Sequence, residues 1–153
     1  MISIEDILHP KSVVLDIAAA TAGSAVLEVA QRLRTESKVR DWNALFQALT
    51  YENSCMANEK GYGICIPHAR THHVSSMVMA AGRVRQGIWF DKAQMQVHYI
   101  FVIGVPVALG ADYLRIIGAL ARAFRVPSSE EALREVETTQ GFIELLSQSE
   151  QTL

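Results

Sequence analysis

Residues Val97 to Val105 read Val-His-Tyr-Ile-Phe-Val-Ile-Gly-Val, and Pro106 follows them. No other feature constrains the fold as much. The run is far shorter than the ~20 apolar residues a membrane helix needs. Its Val, Ile, Tyr and Phe content is that of a strand, and its near-continuous apolarity predicts a central strand buried on both faces. A sheet with such a strand needs cover on each side, and the rest of the chain offers helices to provide it.

Val13 to Ile17 gives a first, short strand signal. Thr21 is positioned to cap a helix whose Val26, Leu27, Ala30 and Leu33 fall on one face, with Arg32 and Arg34 in its last turn. Asp41 caps a second helix with Trp42, Leu45, Phe46 and Leu49 as its stripe. A polar, glycine-containing segment runs from Glu52 to Gly63. Strands are expected at Ile64-Cys65-Ile66, between Ser75 and Val84, and at Val97 to Val105, with Gln86 to Asp91 as a turn or loop. Leu114, Ile117, Leu120, Ala121 and Phe124 predict a helix that Pro127 ends, and Ser128 or Ser129 caps the next. Phe142, Ile143, Leu145 and Leu146 mark the last helix. The order predicts an α/β fold: a single domain over residues 2–146, with a mixed sheet of about four to five strands and helices on both faces. Residues 147–153 read as a polar, frayed tail.

Composition narrows the classes of function. Half of the 153 residues are hydrophobic, enough for one sizeable core. Fourteen Lys and Arg against sixteen Asp and Glu give a net charge of -2, without the basic excess of a phosphate-gripping nucleic-acid binder. Two cysteines are too few for a disulfide scaffold and suit a reducing compartment. The start, Met1-Ile2-Ser3-Ile4-Glu5-Asp6, has neither the basic region nor the apolar stretch of a signal peptide. A cytoplasmic protein without membrane insertion or nucleic-acid partner is expected.

The most informative stretch is Gly61-Tyr62-Gly63-Ile64-Cys65-Ile66-Pro67-His68-Ala69-Arg70. Two glycines allow a close backbone approach. A buried strand follows, and Pro67 breaks its ladder and fixes the local φ. His68 then stands at the strand's end on a rigid step, placed as a nucleophile or a ligand would be, or as a half-exposed loop histidine with no role.

This stretch resembles the active-site signature of the type-2 IIA domain of the phosphoenolpyruvate-dependent phosphotransferase system. That is the fructose/mannitol class, which includes the nitrogen-regulatory IIA proteins. The signature is a Gly-x-Gly step, an aliphatic-small-aliphatic triplet, Pro-His and a small residue, here Gly61 to Gly63, Ile64 to Ile66, Pro67-His68 and Ala69. Trp89-Phe90-Asp91, the strand ending in Val105-Pro106 and the Leu114-containing helix fall in the family's order. Arg70 matches a basic residue frequent in the nitrogen-regulatory branch, to which the free-standing length also points.

The resemblance implies that His68 accepts a phosphoryl group from an HPr-like phosphocarrier protein. His68 then passes it to a regulatory target or sugar permease component, or signals by its phosphorylation state. It implies no cofactor and no resident metal. An imidazole with an ordinary pKa of about 6.5 is largely neutral at cell pH and has a lone pair for attack. Gly61 and Gly63 are candidate phosphate-binding amides, and Arg70 a charge-assisted donor. The site departs from the family's pattern. Tyr51-Glu52 keeps an acid and lacks the Arg that commonly precedes it, and Tyr113 stands where most members have a second histidine. The alternative is therefore a degenerate module that binds partners without being phosphorylated.

Cys65, His68, His72 and His73 are four potential soft-metal ligands within nine residues, which would suit a metal-binding sensor. Against that, Cys65 reads as a small core residue, and Cys55 stands isolated. Arg83 and Arg85 could add phosphate contacts, or form a solvated strand edge.

Overall fold

Strand β6 (Met95–Val105) is the axis of the fold and is buried from Val97 to its end. The computed structural model describes residues 2–51 and 53–150. Its other strands are β1 (Val13–Val14), β2 (Cys55–Ala57), β3 (Gly63–Cys65), β4 (His68–Arg70) and β5 (Val78–Phe90). They form one six-stranded sheet in the order β1-β5-β6-β3-β2, with β4 also pairing β6. The sheet is mixed. β5 runs antiparallel to β6 as a hairpin, β3 and β4 run parallel to β6, β1 runs parallel to β5, and β2 runs antiparallel to β3.

The helices are α1 (Ile4–Ile7), α2 (Ala22–Ala30), α3 (Trp42–Ala48), α4 (Gly110–Arg125), α5 (Pro127–Glu135) and α6 (Thr139–Glu150). They cover both faces, and the strand alternation decides which residues they meet. Tyr99, Phe101 and Ile103 of β6 point into one core with α1, α4, α5 and α6. Ile100 and Val102 point into the other with α2 and α3. The expected caps are present: Thr21 Oγ1 accepts from Ser24 N–H, and Asp41 Oδ1 from Ala44 N–H. Among the described residues no helix is long and apolar enough to cross a membrane.

Several expectations are corrected. The sheet has six strands, because β2 is an exposed edge strand inside the polar 52–63 segment and His68 itself sits on a strand. Residues 86–90 are not a loop. They continue β5 past a register shift between Arg83 and Ile88, where Gly87 supplies φ +81. Val126 lies between α4 and α5, and Pro127 opens α5, so neither Ser128 nor Ser129 is its cap. Helix α6 continues through Glu150 with Ser147 and Ser149 buried, so residues 147–150 are helix rather than frayed tail. Glu52 and residues 151–153 lie outside the described residues.

Candidate functional site

β3 and β4 form one interrupted line against β6. Cys65 pairs with Ile100 and His68 with Ile103, the same offset. Pro67 has no N–H to give the ladder, but its carbonyl accepts from Ile103 N–H at 2.9 Å. On the other side His68 exchanges two backbone hydrogen bonds with Thr50, just beyond α3. The histidine backbone is thus fixed from both sides.

Its ring is fixed too. His68 Nδ1 lies 2.8 Å from the Ile66 carbonyl oxygen. A carbonyl can only accept, so this contact places the proton on Nδ1 and leaves the lone pair of the neutral ring on Nε2. The Ser54 hydroxyl also donates to the Ile66 carbonyl, at 2.9 Å. Tyr113, in the first turn of α4, stacks at a tilt on His68 with ring centroids 5.4 Å apart. Burial pushes the Tyr113 phenol above its ordinary range, so it stays protonated and neutral.

The half-buried His68 is a shared wall between two recesses. One, of about 610 Å³, is lined by Leu49, Thr50, Tyr51, Asn53 and Ser54. The other, of about 340 Å³, is lined by Arg70, Val105, Gly110, Tyr113 and Leu114. The structure therefore unites His68, Arg70 and Tyr113. Arg70 is anchored there by Nε at 2.9 Å from the Val107 carbonyl and by a second contact from Nη2. Leu114 is 69% exposed and Val107 59%, so both form an apolar rim. For Leu114 this corrects the expected place in the core stripe; Leu120, Ala121 and Phe124 of that stripe are buried, and Ile116 is buried beside them.

The two glycines are not brought into the site. They lie at the other end of β3, and their amides are committed, Gly61 N–H to Asn58 O and Gly63 N–H to His98 Nδ1. Gly63 is needed for packing: a Cβ there would lie 2.0 Å from the Gln96 carbonyl oxygen. This end is anchored by α5. Buried Glu130 accepts from Tyr99 Oη at 2.7 Å and pairs with Arg134, whose guanidinium lies 4.2 Å over the Tyr62 ring.

Arg83 is also withdrawn from any phosphate role. It is 2% exposed and donates to the carbonyls of Leu15, Leu133 and Val136, closing the C-terminal end of α5. Arg85 donates to the Arg134 carbonyl. The Cys65–His cluster does not converge. Cys65 is joined to Cys55, directly opposite on β2, so Cys55 is not isolated. His72 and His73 stack on each other in a loop that Arg40 holds by their carbonyls. Among the described residues no three His, Cys, Asp or Glu side chains are grouped to hold a metal ion.

Thr50, Asn53 and Ser54 escaped the sequence reading. Asn53 and Ser54 lie in the polar segment from Glu52 to Gly63, and Thr50 just before it, beside the Tyr51-Glu52 step that lacks the upstream Arg.

Comparison with known proteins gives the chain's family and fold. A fructose-specific EIIA component of the phosphotransferase system from Haloferax volcanii is 35% identical over 112 residues, 72% of this chain and 73% of that protein. A nitrogen regulatory protein of Bradyrhizobium diazoefficiens is 23% identical over 145 residues, 94% of each chain. The crystal structure of nitrogen regulatory protein IIA-Ntr from Neisseria meningitidis shares the fold, with a TM-score of 0.76 at 24% identity, over 94% of this chain and 98% of that one. Residues 6–149 match the family described as "Phosphoenolpyruvate-dependent sugar phosphotransferase system, EIIA 2". The chain that mounts His68 on the broken β3–β4 line therefore belongs to the type-2 EIIA family of the phosphotransferase system.

Proposed function

We propose that His68 is a phospho-acceptor, loaded by a phosphohistidine carrier protein of the HPr type. The observation that carries this reading is the Nδ1 contact to the Ile66 carbonyl, which leaves Nε2 as the nucleophile. The Nε2 lone pair attacks the phosphorus while the donor's P–N bond breaks, and the donor imidazole leaves with that electron pair. Phosphoryl transfer asks the protein mainly for position and for donors around the phosphate oxygens. Arg70 and the Tyr113 hydroxyl line one recess beside His68 and take the donor role. Thr50, Asn53 and Ser54 line the other. The exposed Val107 and Leu114 give the donor protein an apolar rim to dock on. No cofactor is required by this route.

The phosphoryl group then moves to a sugar permease component, or its presence is read by a regulatory target. The higher identity to a fructose-specific component supports the first, and the nitrogen regulatory relative supports the second. Tyr113 supports a different reading, a binding module that is not phosphorylated, because a neutral phenol cannot supply positive charge beside a phosphate dianion. Incubation with phosphoenolpyruvate, the first enzyme of the cascade and an HPr-type carrier separates the two. The carrier reading expects one acid-labile phosphoryl group per chain, abolished by His68→Ala. No adduct on the unaltered protein leaves the binding module.

A further inference from the structure

Cys55 and Cys65 share one rung of the β2–β3 ladder, with Cα atoms 4.1 Å apart. On the next rung Ile66 N–H donates to the Ser54 carbonyl. Antiparallel rungs alternate, so the cysteine rung is of the non-hydrogen-bonded kind, where facing side chains come closest. The two thiols are thus set to join by register alone, and in the structure they are joined. β2 is the edge strand, and Cys55 is half-buried there, while Cys65 has 0% exposure. A cleft of about 160 Å³, lined by Ala22, Tyr51, Phe90 and Ala93, opens onto Cys55.

The pair adjoins the mount of His68. Ser54 and Ile66, its chain neighbours, make the hydrogen bond that presents the Ile66 carbonyl to His68 Nδ1. Both sulfurs also lie close to the Tyr51 carbonyl oxygen, at 3.4 and 3.5 Å, and Tyr51 lines the larger recess beside His68.

We propose that Cys55 and Cys65 form a reversible dithiol–disulfide modification site that sets how firmly the His68 ring is held. Peroxide is the oxidant class. The Cys55 thiolate attacks one peroxide oxygen, the O–O bond breaks, and water leaves once hydroxide takes up a proton. The Cys65 thiol then attacks the Cys55 sulfenic acid sulfur, releasing a second water, so two thiols and one peroxide become one disulfide and two waters. An external dithiol reverses the step by exchange. The disulfide ties the short edge strand to β3 and keeps Ser54, Ile66 and His68 in line. The dithiol form leaves β2 with its backbone pairing and the packing of Cys55, without a covalent tie to β3. The effect on phosphoryl transfer rests on the reading of His68 as acceptor.

The test uses the full chain, reduced with dithiothreitol, desalted and treated with hydrogen peroxide. The expected result is the loss of two hydrogen masses and protection of both cysteines from alkylation, reversed by dithiothreitol. The His68 ring resonances should differ between the two forms. Phosphoryl acceptance should be about fivefold faster in the disulfide form, the effect of one orienting hydrogen bond. Cys55→Ser, at a partly exposed position, should fold and lose every redox difference. Cysteines that remain alkylatable after peroxide would overturn the proposal, as would a crosslink that leaves the His68 resonances unchanged. If neither form takes up phosphate, the carrier reading fails, while the crosslink and the ring resonances still decide this one.

Discussion

Ser54 and His68 share one acceptor: the Ile66 carbonyl oxygen receives the Ser54 hydroxyl at 2.9 Å and the His68 Nδ1–H at 2.8 Å. Ser54 fixes the direction of the carbonyl, and the carbonyl fixes the tautomer of the histidine. Ser54→Ala should therefore lower the rate of phosphoryl acceptance about threefold, the scale of one neutral hydrogen bond. Nitrogen-15 spectra of the unphosphorylated protein should show more of the Nε2–H tautomer in the variant than in the parent.

Tyr113 touches the same ring from the other side. Replacing its neutral hydroxyl with a group that can carry charge should help a developing dianion. Tyr113→His should raise the rate about tenfold, the difference between a neutral and a charge-assisted hydrogen bond. Tyr113→Phe keeps the ring and loses the donor, and should slow the reaction several-fold with little change in melting temperature. Single-turnover kinetics with the phosphorylated carrier would check both.

Two arginines should separate stability from chemistry. Arg83→Met leaves the Leu133 and Val136 carbonyls without their donor in a buried place, and should cost about 2–4 kcal/mol of stability. The folded fraction should still be phosphorylated at the parent rate. Arg70→Gln should do the reverse, with near-parent stability and a rate about tenfold lower, since Arg70 lies in the His68 recess on an exposed anchor. Urea unfolding beside phosphorylation kinetics reads out both variants.

His98 gives the fold a pH dependence. Burial holds its pKa below the usual histidine value, aided by Arg134 and opposed by Glu130. Its Nδ1 accepts from Gly63 N–H, so a proton there would remove an acceptor. The folded state resists protonation while the unfolded chain takes it up near pH 6.5. The contribution is thus fully present above about pH 6.5 and lost as pH falls below it. Urea midpoints should be lower at pH 5.5 than at pH 7.5, and His98→Gln, which keeps an acceptor, should flatten that difference.

Much of this arrangement was legible in the residues. The Val97–Val105 run gave the central strand, and the Pro67-His68 step marked the candidate site. The rest depended on register and packing, which a single chain does not display. Residues 86–90 read as a loop because Arg85, Gln86 and Gly87 interrupt the apolar pattern, although the strand runs on past a bulge. Arg83 read as a surface cation because buried arginines are rare, and three carbonyls from distant segments hold it. Gly61 and Gly63 read as phosphate cradles, but backbone crowding at Gln96 and a histidine acceptor account for Gly63. Cys55 and Cys65 are ten residues apart, and only the β2–β3 register makes them partners. Ser54 read only as one residue of a polar segment, and the Ile66 carbonyl beside it gives it a role.

The central claim is that His68 attacks through Nε2 because Ile66 occupies Nδ1. The direct measurement is the nitrogen-15 and phosphorus-31 spectrum of the chain after loading from phosphoenolpyruvate through the carrier cascade. The account predicts a single phosphohistidine, at His68, with the phosphorus bonded to Nε2 and Nδ1 still protonated. Phosphorus on Nδ1, or on another residue, would contradict it.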